Sequence, residues 1–543
     1  MSGNGGIIRQ AARLVRSCGT LGIRPTLQMR REDSRIREEL CRPELLSGRE
    51  RKTQQRKRFP REICFDVYFL RDGKTAEPEE NTLRSLREQT RGTVRVEPDL
   101  SEIAPEDCVV FMEPDAYLHP GALFECMKAV FTQGADLLYT DEDYYLETPK
   151  DLLAPYYKPD YGPDSLRGCN YAGPFLVCRA SLLKEAGAGN FAELSAEERW
   201  DATLRLAAAA ECVVHISGAM YYRKAASAEK IPEPAVRRVK ETVRGEPLVS
   251  ILIPNRDHRD DLKRCVDSIL AKTSYSRFEI IIIENNSTEE DTFRYYVELE
   301  KDARIRVIRR EGVFNYSAVN NLGFREAKGE QILLLNNDTE VLSPDWLQEM
   351  LMYTQREDVG AAGAKLLYPD GTIQHAGIGI GILLAAGHWH RGLPGDRAGY
   401  FGRLRYAQNV SAVTGACMMI PRRIYEAVGG LDETFPVMFN DLDLCLKIRQ
   451  AGYLIVWTPF AELTHFESRS RGPDVVTWKK KRFFFRETDR FLRRWRRVIA
   501  EGDPYYNSYL TRDREDFSLR GGNVLQYRRP EGVKCLKKTE EEQ

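Results

Sequence analysis

At 543 residues the chain is too long for one ordinary hydrophobic core, so two substantial domains are expected. Lysine plus arginine and aspartate plus glutamate each total 81, and 42% hydrophobic with 30% charged residues excludes a disordered chain or one built mainly of membrane spans. The balanced net charge points to no partner.

The 12 cysteines form no CxxC pair and no Cys/His metal spacing, and Cys265, Cys417 and Cys445 sit within apolar runs. Reduced core thiols in a cytoplasmic protein are the expectation. Residues 1–61 read as a charged lead or linker: two arginines break the apolar stretch of "MSGNGGIIRQAARLVRSCG", and "RREDSRIREEL" and "SGRERKTQQRKRFPRE" predict solvated helix. The longest apolar run, "GIGIGILLAAG", has about half the length of a membrane helix, so neither a signal peptide nor a transmembrane span is expected.

Residues 62–223 predict a first α/β domain. "CFDVYFL" and "VVFMEPD" are its strands, and the acids of "YTDEDYY" are expected to be solvated residues after a strand rather than a metal cluster. Residues 224–246, with prolines and charges and no apolar periodicity, read as a linker.

From 247 to 477 apolar strands alternate with helical patterns. "LVSILIP", "FEIIIIENNS", "IRVIRR" and "QILLLNND" are strands separated by "DDLKRCVDSILAK", "TEEDTFRYYVELEK" and "SAVNNLGFREAKG". Such β-α repeats predict a doubly wound, mostly parallel sheet whose ligand lies beyond the carboxyl ends of the strands, here "PNRD", "ENNS" and "NNDTE". Residues 478–543 comprise a basic amphipathic helix, "WKKKRFFFRETDRFLRRWRR" at 478–497, and a tail. That helix suits either peripheral contact with an anionic inner membrane surface or a core-packing helix with a basic outer face.

The two halves also repeat one another. "EDCVVFMEPDAYLHPGALFECMKAV" parallels "EQILLLNNDTEVLSPDWLQEMLMYT", and "ERWDATLRLAAAAECVVHISGAMYYRK" parallels "FNDLDLCLKIRQAGYLIVWTPFAELTHFES".

Three features of the second half belong together: Asp338 at a strand end, Asp441 with Asp443 opening a helix, and His465 after a strand. A strand-end aspartate is most often a turn or a cap. On one polar sheet edge, however, a carboxylate and an imidazole offer a hard-cation site for Mg²⁺ or Mn²⁺, with a second carboxylate free to act as a base. His388, Trp389 and His390 in "GHWH" read as a sugar-stacking platform or a structural loop, and Gln374 and His375 in "TIQHAG" carry no assigned role.

Residues 247–472 resemble glycosyltransferase family 2 enzymes of the GT-A fold, in the rhamnosyltransferase-like branch. The resemblance is carried by "VSILIPNRDHRDDLKRCVDSIL", "IIIENNS", "FNYSAVNNLGFREAKGEQILLLNNDTEV", "YPDGTIQHAGIGIG", "GHWHRG", "QNVSAVTGACMMI", "FNDLDLCLKIRQAGY" and "HFESRSRG". The ending "DPYYNSYLTRDREDFSLR" is similar to the tail that succeeds this domain in such proteins. The resemblance implies a nucleotide-sugar pocket at Pro254, Asn255, Arg256, Glu284, Asn321, Asn336 and Asn337, with a divalent metal on Asp338 and His465. It implies Asp441 as general base of an inverting transfer, with Thr414 and Gly415 near the acceptor and Asp443 as support or acceptor contact. Asn440 is expected to cap the helix that carries Asp441, and the helix dipole to favour the ionised carboxylate.

The implied reaction moves a sugar from a nucleoside diphosphate (dTDP-rhamnose or UDP-hexose type) to a growing cell-surface polysaccharide or glycolipid, in the cytoplasm or peripherally at the membrane face. The first half resembles the same family as a truncated, degenerate GT-A-like copy, with Arg199 at the base position, Tyr222 at the metal position and the nucleotide-pocket strands largely missing. A catalytically silent carbohydrate-binding or scaffold protein is the alternative. A nucleotidyltransferase would carry a glycine-rich loop where "PNRDHRDD" has none, and no nucleic-acid motif is present.

Overall fold

The structure, a computed structural model, describes residues 46–71, 77–147, 152–227, 231–466 and 478–520, and for 478–484 the backbone only. The chain divides into two compact units. Of the described residues, the first runs to Arg237 and takes back Pro504–Thr511 and residues 518–520; the second comprises those of Arg238–Asp503 and Arg512–Phe517.

The expected linker splits at 237/238 and is not free. Ala235 and Val236 pair with Asn170 and Cys169 in the first unit, while Arg238 bonds Glu349 and the Arg244 N–H donates to Gln355 in the second. The basic helix and the tail form no separate domain, because their residues are divided between the units. Of the charged lead, residues 1–45 lie outside the described residues. Helix α1 (Gly48–Arg56) is solvated as expected, and starts in a Ser47/Glu50 capping box.

The first unit is a seven-stranded sheet of β1 (Cys64–Phe69), β2 (Thr93–Val96), β3 (Cys108–Met112), β4 (Tyr117–Leu118), β5 (Leu137–Tyr145), β6 (Leu176–Arg179) and β7 (Val213–Lys224), in the order β2-β1-β3-β6-β5-β7-β4. Its helices are α2 (Glu80–Arg87), α3 (Ala122–Gln133), α4 (Pro163–Gly168), α5 (Ala180–Glu185) and α6 (Ala196–Ala209).

The second unit opens with the predicted alternation: β8 (Val249–Asn255), α7 (Arg259–Lys272), β9 (Phe278–Glu284), α8 (Glu290–Leu299), β10 (Ile305–Arg309), α9 (Tyr316–Glu326) and β11 (Gln331–Leu335). Next come β12 (Thr339–Val341), α10 (Trp346–Thr354), β13 (Val359–Leu367), the short strands β14 (Ile373–His375), β15 (Ile378–Ile380), β16 (Ala386–His388) and β17 (Gln408–Asn409), then β18 (Cys417–Pro421) and α11 (Arg422–Ala427). It ends with α12 (Asn440–Gln450), β19 (Leu454–His465), α13 (Trp478–Arg494) and α14 (Arg496–Glu501).

The apolar runs are buried as predicted. Ile251, Ile253, Ile280, Ile282, Leu333 and Leu335 meet Leu262, Cys265, Val266 and Ile269, an i, i+3, i+4, i+7 face of α7, in one core. Each fully buried aliphatic side chain contributes about 1.5–3 kcal/mol, which fixes the strand register and hence which residues reach the sheet edge.

The sheet order is β10-β9-β8-β11-β18-β13-β19-β12. It is α/β and mostly parallel as expected, with two antiparallel exceptions that matter. Strand β18 begins at Cys417 beside Leu335, where β11 ends, so it runs back from the carboxyl edge and leaves Thr414–Ala416 there. Strand β12 pairs antiparallel with β19, setting Thr339 opposite His465 at the same edge.

From β9 to β12 this order coincides with that of the first unit, strand for strand and direction for direction. Among the described residues the first unit has counterparts of β8 and β9 in β1 and β2, and along this path none for β10. The expectation that its pocket strands are largely missing is corrected: the short spacing removes one strand and its helices.

Candidate functional site

The carboxyl edge of the second sheet gathers residues from four strands. Asn255, at the end of β8, accepts from Asn337 Nδ2 at 2.6 Å and donates to Tyr296 Oη at 2.8 Å. Glu284, at the end of β9, accepts the Ser287 N–H at 2.5 Å. Pro254 is half-buried beside Asn255, and Arg256 is exposed with its Nε 3.9 Å from Asp257. Asn336, just past β11, donates its N–H to Ala416 O at 3.0 Å, and its side-chain amide lies 3.3 Å from His465 Nε2.

Asp338 and His465 are both 5% exposed and face each other, Oδ1 to Nε2, at 3.3 Å. Ligands bound at about 2.1 Å on adjacent corners of an octahedron lie about 3 Å apart, so this pair fits two cis ligands of one Mg²⁺-sized or Mn²⁺-sized ion. Among the described residues no three acidic, His or Cys side chains converge as a metal cluster, so further ligands would come from substrate and water.

Asp441 lies in the first turn of α12. Its Oδ2 accepts the Gly415 N–H at 3.0 Å and its Oδ1 accepts the Leu442 N–H at 2.8 Å. Burial raises its pKa above the ordinary carboxylate value, against the opposing bonds from Gly415, Leu442 and the Thr414 side chain. This corrects the expected dominance of the helix dipole: desolvation wins, which suits a base. The helix cap is also corrected. Asn440 is already helical, and the N-cap is Phe439, in the left-handed region with φ 60° and no side-chain cap bond.

The loop Thr414–Ala416 joins the two clusters, since Gly415 holds Asp441 and Ala416 holds Asn336. Tyr316 Oη donates to Gly415 O at 2.9 Å, and a Cβ on Gly415 would sit 3.0 Å from that hydroxyl, so only glycine fits without displacing it. His375, fully buried, approaches the Thr414 N–H with Nε2 at 3.4 Å and His388 Nδ1 with its own Nδ1 at 3.0 Å. Burial, then the neighbouring His388 and His465, hold its pKa well below the usual value, so the ring is neutral.

Several expected contacts are not available to a substrate. Asn321 is saturated: Nδ2 donates to Leu431 O and Glu433, while Oδ1 accepts from Tyr425 Oη and the Leu431 N–H. Trp389 is fully buried under the Arg403 guanidinium and against Phe517, so it offers no stacking face. His390 stacks on Phe517 and accepts the Tyr400 N–H, and burial, aided by Arg403, lowers its pKa to about 3. Asp443 is fully buried and accepts from Trp495 Nε1 at 2.9 Å with Arg494 Nε at 3.1 Å, which makes it a support and not an acceptor contact. His388 remains half-buried, at the outer end of the His375 pair.

In the first unit the register also corrects the sequence alignment. With Asp115 set against Asp338, Tyr117 matches Glu340; the ladders Tyr117↔Tyr222 and Glu340↔Thr464 then place Arg223, not Tyr222, at the position of His465. The guanidinium of Arg223 grips Glu113 in a fork, at 2.7 and 2.8 Å, and approaches Glu142 at 3.5 Å.

The acids of "YTDEDYY" are buried rather than solvated. Glu142 pairs with Lys158 at 3.1 Å, and against burial Lys158 and Arg223 hold its pKa below the usual value. Asp141 accepts from the Lys158 and Gly218 N–H groups and from Asn507, and contacts His215 at 2.8 Å. Burial alone would lower the His215 pKa, but Asp141 and Asp160 raise it to about 9. Built-in cations therefore neutralise this edge.

Residues 247–496 match the family model described as glycosyltransferase-like family 2. The chain is 40% identical over 457 residues to an uncharacterized protein, y4gI, of Sinorhizobium fredii, covering 77% of this chain and 50% of that one. It is 35% identical over 487 residues to the O-antigen biosynthesis protein RfbC of Myxococcus xanthus, covering 82% and 37%. It is also 29% identical over 126 residues to the N-acetylglucosaminyl-diphospho-decaprenol L-rhamnosyltransferase of Mycobacterium tuberculosis, covering 22% and 41%. The chain thus spans half or less of the length of each of these relatives.

Proposed function

We propose that residues 247–496, which match the glycosyltransferase-like family 2 model, form a transferase that moves a sugar from a nucleoside diphosphate sugar to a glycan of a surface polysaccharide, with inversion at the transferred carbon. The observation that carries the reading is the convergence, on one sheet edge, of the Asp338–His465 pair with a separate half-buried carboxylate of raised pKa, Asp441. The likeness to an O-antigen biosynthesis protein supports a polysaccharide acceptor, and the shorter likeness to a rhamnosyltransferase supports a dTDP-rhamnose-type donor, with a UDP-hexose as the other candidate.

In this reading Pro254, Asn255 and Arg256 border the nucleotide base, Glu284 bonds it, and Asn336 and Asn337 lie along the ribose and diphosphate. Asp338 and His465 would hold a divalent ion that neutralises charge on the departing diphosphate. Asp441 takes the proton from the acceptor hydroxyl as that oxygen attacks the anomeric carbon opposite the leaving group. Gly415, fixed by Tyr316, keeps the carboxylate from swinging away.

The first unit is read as a silent copy of the same fold. Its base position carries Arg199 and its metal position Arg223, and a guanidinium stays protonated near neutral pH. Outward arginines on the described part of α13, among them Arg486 and Arg493, are compatible with peripheral contact at an anionic membrane surface. Among the described residues no helix is long and apolar enough to cross a membrane.

The test is release of nucleoside diphosphate from a panel of UDP-, dTDP- and GDP-sugars with a crude glycan acceptor, with Mg²⁺ or Mn²⁺ and with EDTA. Metal-dependent release from one donor, lost in Asp441→Ala, is the expected result. A folded wild type that turns over no donor would leave the carbohydrate-binding or scaffold alternative.

A further inference from the structure

The sequence places a basic helix after the sheet, and the transfer mechanism makes no use of it. Its inner face is more specific than core packing requires. Glu487, Phe491 and Trp495 recur at i, i+4 and i+8, one stripe of α13 and the residue just after it. All three are buried, and each meets the segment that delivers Asp441.

Glu487 Oε2 accepts the Met438 N–H at 2.6 Å. The Phe491 ring stacks on Phe439 with centroids 4.7 Å apart and planes 17° apart, and meets Phe435 edge-on. Trp495 Nε1 donates to Asp443. Between them Arg490 donates to Thr434 O, and Arg494 pairs with Asp432 and Asp443. None of these bonds reaches Asp441 itself.

Phe439 explains why such a grip is needed. It adopts φ 60° and ψ 6°, a left-handed conformation disfavoured for a bulky L-residue, and it does so two residues before the base. The N-cap residue makes no side-chain cap bond, and the local ties across the turn come from one side chain, Asn440, whose Nδ2 donates to Val437 O at 3.1 Å and whose Oδ1 accepts the Asp441 N–H at 2.8 Å. The stacked Phe491 ring and the Glu487 carboxylate add support from outside the loop, on Phe439 and on the Met438 N–H before it. On the opposite side the Tyr316 N–H donates to Pro436 O at 2.7 Å, and Ser317 donates to Phe435 O at 2.7 Å. The segment 431–443 is thereby held between α9 and α13.

We propose that Glu487, Phe491 and Trp495 are positioning residues for the transfer: the stripe fixes the left-handed turn at Phe439 and with it the direction of the Asp441 carboxylate. The inference rests on the transferase reading, and its effect is expected on the chemical step rather than on donor binding, because the contacts named above all fall on the segment 431–443 that carries Asp441.

The test uses the full chain with three substitutions: Phe491→Leu, which removes the ring and keeps most of the volume; Glu487→Ala, which removes the acceptor; and Glu487→Gln, which keeps a carbonyl oxygen for the Met438 N–H. Two readouts are taken: steady-state transfer, and hydrogen exchange of amides 438–443 compared with 332–339.

Phe491→Leu and Glu487→Ala are expected to lower kcat at least tenfold with donor KM and Mn²⁺ affinity within twofold. Exchange should rise only at 438–443, and Glu487→Gln should stay within twofold of wild type in every measure. Folded variants with wild-type kcat would overturn the proposal. So would a parallel loss of donor affinity and kcat, or no gain from Gln over Ala. If wild type turns over no donor, the transferase reading falls, and unchanged exchange at 438–443 would separately refute the grip on the loop.

Discussion

Replacing Asp441 by asparagine removes the proposed base while keeping an oxygen able to accept the Gly415 N–H, so the loop Thr414–Ala416 should stay in place. General-base catalysis contributes about 10²–10⁴-fold, or about 2.7–5.4 kcal/mol of the activation barrier at 1.36 kcal/mol per decade. The kcat for transfer should fall by that factor, with donor KM nearly unchanged because the bonds to the Asp441 carboxylate come from Gly415, Leu442 and Thr414 and not from residues assigned to the nucleotide.

The same substitution has an opposite effect on stability. Asp441 has a raised pKa in the folded protein, so the folded state binds the proton more tightly than the unfolded state. Its ionisation therefore costs stability, a cost absent below the unfolded value of about 3.9 and complete above the raised folded value. At pH 7–8 Asp441→Asn should melt higher than wild type, and the difference should vanish below about pH 4.

The acid limb of the wild-type kcat profile should lie above the ordinary carboxylate range, since protonation disables the base. The assay pairs nucleoside diphosphate release with thermal melts across pH 4–8. A kcat within about threefold of wild type would refute the assignment of the base. A lower melting point at pH 7 for a correctly folded variant would refute the reasoning from burial.

Asp338→Ala and His465→Ala should each weaken Mn²⁺ binding at least tenfold by calorimetry, and wild type should bind one ion per chain because Arg223 stands at the equivalent place in the first unit. Arg223→Ala should destabilise the first unit by about 2 kcal/mol, a buried-pair loss discounted for partial exposure, by leaving Glu113 and Glu142 short of a partner. It should leave donor turnover intact, read by melting and by the release assay. Trp389→Ala should cost about 3–5 kcal/mol in chemical denaturation, because the indole is fully buried; a change in acceptor KM with unchanged stability would restore the stacking-platform role.

The strands, the repeat and the polar edge were legible in the chain alone. Runs such as Val249–Asn255 and Phe278–Glu284 are apolar enough to demand burial on both faces, and their ends carry the amides and acids found at the edge. Asp338, Asp441 and His465 were legible as candidates for the same reason, since Asp338 and His465 lie where an apolar run stops and Asp441 where a helical pattern begins. Tyr316 stood within a motif already singled out, and its spacing could have marked it.

The remainder depends on partners far apart in the chain, which packing alone brings together. Whether Trp389 faces solvent is set by Arg403 and Phe517, and whether Asn321 is free is set by Tyr425 and Leu431. The counterpart of His465 depends on pairing register, where a slip of one residue replaces Tyr222 by Arg223 and turns a side chain to the other face. The sign of the Asp441 shift depends on burial, which a local reading of the helix dipole misses. The stripe 487, 491 and 495 looks like any amphipathic face until Phe439 is seen in a left-handed turn against it, because local patterning states that a face is buried and only the folded chain states against what.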